Sequence, residues 1–362
     1  MKAGLSSNKR NSGIIVAGLM SGTSLDGLDI ALCLFEEHKG LWHYEILAAT
    51  TIKYNNVWRD ALSGAHLLKG EELVKLDHEY GEYIGKHVYN YISQIGIKPQ
   101  LIASHGHTIF HNPGSGYTYQ LGHGGNIAVR TGIPVVSDFR SVDVSRSGQG
   151  APLVPVGDKL LFADYESCLN LGGFANISFD YNGARIAFDI CPVNIILNAL
   201  ARKLGFEYDR NGNLGKSGKL NNALLSRLNA LEYYRKSPPK SLSREWIELS
   251  FLKLLDDSDV GTIDQLTTNY FHITHQIVTV LKRYKLKNTL VTGGGACNSY
   301  LINLLKTETD TEIILPPKLI IQYKEALIFA CLGLLRLNNQ INCYSSVTGA
   351  KADSVCGALY IP

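Results

Sequence analysis

The sequence has no C-x-x-C pair, and its seven cysteines (Cys33, Cys168, Cys191, Cys297, Cys331, Cys343 and Cys356) are odd in number and widely scattered. That pattern argues against a disulfide framework and reads as reduced thiols, several of them in the core. No run approaches the roughly 18 uninterrupted apolar residues of a membrane-crossing helix. The opening residues MKAGLSSNKRNS are polar and carry no signal-peptide segment. They read as a frayed lead-in, and the expected compartment is the cytoplasm, with no membrane partner. Charge of one sign is also missing: 35 Lys plus Arg stand against 32 Asp plus Glu, with no basic block to serve as a nucleic-acid footprint. The G-x-x-x-x-G-K-[ST] loop is absent, which disfavours a P-loop fold, and so is an H-E-x-x-H helix.

What is present is an ordinary globular composition. Of 362 residues, 45% are hydrophobic, 19% are charged and 35 are glycine, enough chain for two domains or one large one. From Gly13 the chain reads as two β-rich runs around a polar turn and a third strand in HYEILAATTI. The spacing of Leu73, Leu76, Tyr80, Ile84, Val88 and Ile92 then predicts a helix from Glu71 to Gly96, and a short buried strand follows at Gln100 to Ser104. The order β-β-β-α-β recurs from SCLNLGGFANISFDY and ARIAFDI onward, with helices expected after Pro192, at Lys219 to Leu231, Arg244 to Leu255 and Thr262 to Tyr284. A duplicated unit at half-chain scale predicts two lobes around a cleft, 13–163 and 164–362, with the last helical segment able to pack back on the first. RKSPPKSLSRE reads as a loop.

Three glycine-rich turns each follow a strand. The first is Gly18 to Asp29, where Gly18, Gly22 and Gly27 are expected to let backbone N–H groups approach a ligand, Ser21, Thr23 and Ser24 add hydroxyls, and Asp26 is placed to hold Mg²⁺ through water. The second, Asn170 to Asn176, contains Gly172 and Gly173. The third, with Gly293, Gly294, Gly295 and Asn298, joins a strand to a helix, whose unpaired N–H groups favour anions. Each is also readable as a tight turn capped by its own polar side chains. His105, His107, His111 and His123 fall within one short stretch and raise a zinc-hydrolase reading, although no Cys or H-E-x-x-H partner accompanies them.

The run from Gly18 to Leu32, with SHGHTIFHNP, GNIAVRTGIPVVSDFRSVDVSRSGQGAPLVP, LNLGGFANIS, PPKS, VTGGGACN and SVTGA, resembles the anhydro-N-acetylmuramic acid kinases over nearly the whole chain. The resemblance implies an α/β, duplicated ribonuclease-H-like (actin-like ATPase) two-lobed fold, with ATP and Mg²⁺ as cofactors and a homodimer. It implies phosphorylation of 1,6-anhydro-N-acetylmuramic acid with hydrolytic opening of the anhydro ring. Gly22, Thr23, Ser24, Leu25, Asp26, Gly27, Leu28 and Asp29 would cradle the phosphates together with Gly172, Gly173, Gly293, Gly294, Gly295 and Asn298. Asp189 would be the general base, at a strand end where the dipole of the following helix keeps it ionised; as a residue alone it reads first as an N-cap. Arg140 would meet the substrate's lactyl carboxylate, with Asp138, His105, Asn194 and Glu325, the last opening a late helix, around the sugar. Asp138 and Arg140 are also readable as a simple pair, and Glu325 as a surface residue. Where the family reads D-T-G-P-G-N, this chain has Asp189, Ile190, Cys191, Pro192, Val193 and Asn194. That departure keeps a second reading open, a catalytically impaired ATP- and sugar-binding sensor.

Overall fold

The computed structural model describes residues 13–22 and 24–362. The chain divides into two compact units. The first is built from the chain up to Leu161 together with Glu325–Pro362, and the second is Phe162–Lys324. Among the described residues the strands are β1 (Ile14–Ser21), β2 (Gly27–His38), β3 (Leu41–Lys53), β4 (Leu101–Asn112), β5 (Tyr117–Leu121), β6 (Val135–Ser137), β7 (Ser167–Leu171), β8 (Phe174–Tyr181), β9 (Ala184–Pro192), β10 (Asn288–Thr292), β11 (Glu312–Ile314) and β12 (Ala358–Tyr360).

The first unit's sheet runs β12-β6-β4-β1-β2-β3, with β5 paired to β4; the second unit's runs β11-β10-β7-β8-β9. In each, three antiparallel strands form a meander and the next strands add in parallel beside its first member. The same strand order occurs twice, the ribonuclease-H-like topology of actin-like ATPases.

Periodicity explains the packing. In the first unit the helix Gly70–Ile95 lays Tyr80, Ile84, Val88 and Ile92 on Leu19, Ile30, Leu32 and Ile102. In the second, Leu266, Tyr270, Ile273 and Ile277 of the helix Thr262–Arg283 meet Leu169, Ile177 and Phe188. Each such side chain contributes about 1.5–3 kcal/mol by leaving water. The Gly70–Ile95 helix starts with a carboxylate of Glu72 accepting the Lys69 N–H at 3.1 Å and ends at Gly96 with φ 73°. Gly18 serves helix packing, since a side chain there would overlap the Ala326 carbonyl of the helix Lys318–Leu337.

Two expectations are corrected. The strand expected to stop at Ser104 runs on to Asn112, because Gly106, at φ 73°, turns the backbone and the histidine-rich half then pairs with β5. The helix expected at Arg244 to Leu255 is a short turn, a π-helical segment Ile247–Leu252 and a last turn. Glu325 stands at a helix start as expected: the helical stretch from Lys318 is kinked at Tyr323, φ −116°, and the helix that carries Glu325 begins after the kink.

Candidate active site

In the first unit, β1 ends at Ser21 and the turn to β2 is closed by the Leu25 N–H donating to the Gly22 carbonyl at 3.2 Å. Gly22, Ser24, Leu25 and Asp26 form the turn, with Ser24 and Asp26 exposed; Thr23 lies outside the described residues. Of the three glycines expected to open the backbone to a ligand, only Gly22 is in this turn. Gly27 is pressed against β3, where a Cβ would come 2.5 Å from the Ile52 carbonyl, and the Leu28 side chain is in the core. Asp29 accepts a hydrogen bond from Thr51 Oγ1 at 2.6 Å. Burial raises its pKa, the Thr51 bond opposes this, and the nearby Asp26 charge adds to the rise.

Beneath the turn lies a buried polar chain. Ser21 Oγ bonds Tyr54 Oη at 2.8 Å and His107 Nδ1 at 3.0 Å, and Tyr54 Oη bonds Tyr80 Oη. With every member paired, this network fixes the end of β1. His107 thus has a structural partner directly before the turn.

The other expected residues of this unit meet at Arg140. Its Nη2 and Nε reach His105 Nε2 at 2.8 and 3.3 Å, and its Nη1 donates to the Gly150 carbonyl at 2.6 Å. Burial lowers the Arg140 pKa to about 10, a shift that the Glu325 charge opposes, so Glu325 shares this neighbourhood and the guanidinium stays charged at neutral pH. Asp138 does not pair with Arg140. At φ 55°, it accepts from Ser141 N and Oγ, at 3.2 and 2.6 Å, and caps the turn Ser141–Ser145. Asp143 is fully buried and accepts from Gly150 N, Thr348 Oγ1 and Cys343 Sγ at 2.8, 2.8 and 3.1 Å. The Gly150 residue is therefore held from both ends, its N–H by Asp143 and its carbonyl by Arg140. The four histidines of the zinc reading separate: His105 bonds Arg140, His107 bonds Ser21, His111 bonds Thr118 and His123 bonds Asn126. Among the described residues no three His, Cys, Asp or Glu side chains gather to hold a metal.

In the second unit Asp189 lies within β9, five residues before the helix Asn194–Lys203. The expectation that this helix's dipole keeps it ionised is corrected. The first N–H groups after the strand are consumed by the glycine hairpin: Val193 N and Asn194 N donate to the carbonyls of Gly173 and Gly172 at 2.8 and 3.3 Å. Asp189 Oδ2 instead accepts the Leu242 N–H at 2.9 Å, and Oδ1 has no partner among the described residues. Burial raises its pKa, against the pull of the Leu242 N–H. A bulge aims it: Asn176 pairs with Asp189 and Ala175 with Cys191, leaving Ile190 as the extra residue. Ile190, Cys191 and Val193, the three departures from the family pattern, are all buried in this unit's core.

Asn194 is a pin for the hairpin, its Nδ2 donating to the carbonyls of Leu171 and Gly172 at 3.1 and 2.8 Å. It also lines a pocket with Gly294, Asn298, Asn198, Tyr208, Asp209, Arg210 and Asn211. Gly293, at φ 81°, starts the third turn, and Asn298 caps the next helix through Oδ1 to Leu301 N at 3.2 Å. Asn298 Nδ2 donates to Tyr270 Oη at 2.7 Å, which donates to Asp209 Oδ2 at 3.0 Å; Asp209 further accepts the N–H groups of Leu214 and Gly215. Tyr208, Asp209, Arg210 and Asn211 were missed in the sequence. The only signal was the turn-rich run Asp209 to Asn213, which reads as a loop.

Two copies of one sheet topology, each opening with a strand hairpin that carries glycine, define the actin-like ATPase fold. Comparison with known proteins narrows this. The family described as anhydro-N-acetylmuramic acid kinase matches residues 14–362. The chain is 34% identical to an anhydro-N-acetylmuramic acid kinase of Xylella fastidiosa, covering 97% of each chain, and 33% identical to one of Coxiella burnetii, covering 95% and 96%. Among solved structures, the activator of 2-hydroxyisocaproyl-CoA dehydratase from Clostridium difficile matches at a TM-score of 0.45 and 14% identity, over 90% of this chain and 96% of that one. The chain belongs to the anhydro-N-acetylmuramic acid kinase family.

Proposed function

We propose that the protein is an ATP-dependent kinase that converts 1,6-anhydro-N-acetylmuramic acid and water to N-acetylmuramic acid 6-phosphate. The observation that carries this reading is Asp189, a half-buried carboxylate with one oxygen fixed by Leu242 N–H and the other uncommitted. In the proposed step Asp189 takes a proton from water as the water oxygen bonds C1 and the C1–O6 bond breaks. The released O6 attacks the γ-phosphorus of ATP, and the bond to the β-phosphate oxygen breaks to leave ADP. A raised pKa suits a base that must hold the water's proton during attack.

Arg140 meets the lactyl carboxylate with its remaining N–H groups, and Glu325 and Asp138 are placed near the sugar hydroxyls. In the first unit the turn Gly22–Asp26 is assigned to the phosphates; in the second, the Gly172–Gly173 hairpin and the Gly293–Gly295 turn are assigned to the nucleotide. The pocket beside the last of these takes the nucleoside, with exposed Tyr208 as a stacking face and Arg210 as a cation. Asn194 serves the nucleotide side through the hairpin, and His105 acts on the sugar side through Arg140. Asp26 and Asp29 fit a cation: burial raises the Asp29 pKa, the Asp26 charge adds to that rise, and bound positive charge would oppose both. They would hold Mg²⁺ with the phosphates, and its charge neutralises the phosphate oxygens during transfer. No helix among the described residues is long and apolar enough to cross a membrane; a cytoplasmic homodimer is proposed on the family resemblance, with light scattering as its check.

The test is ADP release with mass spectrometry of the sugar after incubation with ATP, Mg²⁺ and the anhydro sugar. A product heavier by one phosphoryl group and one water is expected. ADP formation without a heavier sugar refutes the assignment.

A further inference from the structure

Arg140 carries five N–H bonds and can accept nothing. Three are committed, from Nε and Nη2 to His105 Nε2 and from Nη1 to the Gly150 carbonyl. Because a guanidinium only donates, His105 Nε2 must accept, which places the ring proton on Nδ1. That N–H donates to the Gly106 carbonyl at 2.8 Å. Both imidazole nitrogens are then used within the protein. The ring is buried and packs on Phe329 with centroids 4.6 Å apart, so it has no room to turn toward a ligand.

Resting on the reading of Arg140 as the carboxylate anchor, we propose that His105 is a positioning residue that sets specificity for an acid-bearing anhydro sugar. It does not touch the sugar. It occupies the Nε edge of Arg140 and, with the Gly150 carbonyl on Nη1, leaves one N–H on each of Nη1 and Nη2 for a carboxylate. Burial and the neighbouring Arg140 charge push the His105 pKa down to about 3, so the ring remains an acceptor throughout the working pH range. Gly106 supports the arrangement: its φ of 73° turns its own carbonyl back toward the ring.

The test measures binding by calorimetry for two sugars, 1,6-anhydro-N-acetylmuramic acid and 1,6-anhydro-N-acetylglucosamine, the same ring without the lactyl acid. H105F fills the space without an acceptor, and H105Q restores an acceptor oxygen. H105F is expected to weaken the acid sugar by about tenfold or more and the neutral sugar by less than about twofold, with H105Q recovering most of the loss. An equal loss for both sugars, or no loss for the acid, overturns the proposal. R140Q distinguishes the two levels: if it keeps the preference for the acid sugar, the anchor reading itself fails. Nitrogen NMR of the wild-type protein supplies a check that needs no variant. A protonated Nδ1 and an accepting Nε2 are expected with and without the acid sugar, and an Nε2–H tautomer or an imidazolium refutes the clamp.

Discussion

Replacing Asp189 by Asn isolates the proton-accepting role from the shape of the site. The side chains are nearly isosteric, and an Asn oxygen turned to Leu242 retains the 2.9 Å hydrogen bond from its N–H. The fold therefore loses no contact, while the group that takes the water's proton is gone. General-base catalysis of this kind is worth about 10²–10⁴ in rate, or about 3–5 kcal/mol of barrier. ADP release and sugar phosphorylation should both fall by that factor, with the KM for ATP little changed. In the wild type, activity should fall on the acid side, at a pH above the ordinary carboxylate range, because the base must be ionised and burial raises its pKa from 3.8. Stability gives a second reading of the same group. A folded-state pKa above the unfolded value means that ionisation costs stability as pH rises through that interval. D189N should accordingly melt no lower than the wild type near neutral pH, the difference vanishing below about pH 4. Turnover within about threefold of wild type in D189N, measured with both ADP and sugar product, would refute the reasoning.

Other outcomes follow from single contacts. N194A removes the two amide bonds that hold the Leu171 and Gly172 carbonyls, and should raise the KM for ATP by about five- to tenfold with the sugar KM unchanged, in steady-state kinetics. Y208A should weaken a non-hydrolysable ATP analogue by about tenfold in calorimetry, and Y208F by less than about twofold, since the role proposed for Tyr208, which lines the pocket, is stacking and not hydrogen bonding. G18A forces its methyl into the Ala326 carbonyl and should cost about 3 kcal/mol or more, read as a fall in urea midpoint or as loss of soluble protein.

The strand order was legible because both halves write the same pattern of apolar runs, turns and helical spacing. The repeat was visible even though the sequence-read strand at Gln100 to Ser104 was too short. What ended that reading was polarity: His105 to Asn112 has no apolar run, and its place in the sheet depends on β5, which lies beyond a turn. The carboxylate Asp189 was found through its motif, but its surroundings were not. The consumption of the following N–H groups by Gly172 and Gly173, and the gift of a hydrogen bond from Leu242 some fifty residues away, are pairings between distant segments that no local spacing encodes. Glycine was similarly ambiguous, since Gly18 and Gly27 serve packing while Gly22 sits in the turn. The pocket proposed for the nucleoside stayed hidden because Tyr208 to Asn211 carry no periodicity.

The Asp143 carboxylate draws its donors from Gly150 and from Thr348 and Cys343. The latter two lie some two hundred residues further along the chain, in the stretch that returns to the first unit after the second. The segment bearing Arg140 is thus made early but cannot be locked until Cys343 and Thr348 have been made, after the entire second unit. During that interval Asp143 would be a carboxylate awaiting its hydrogen bonds. A nascent chain stalled before Cys343 should leave the Gly148–Gly150 loop open to protease, and release of the full chain should protect it. The order of synthesis would then keep the segment around Arg140 unfinished until the second unit exists.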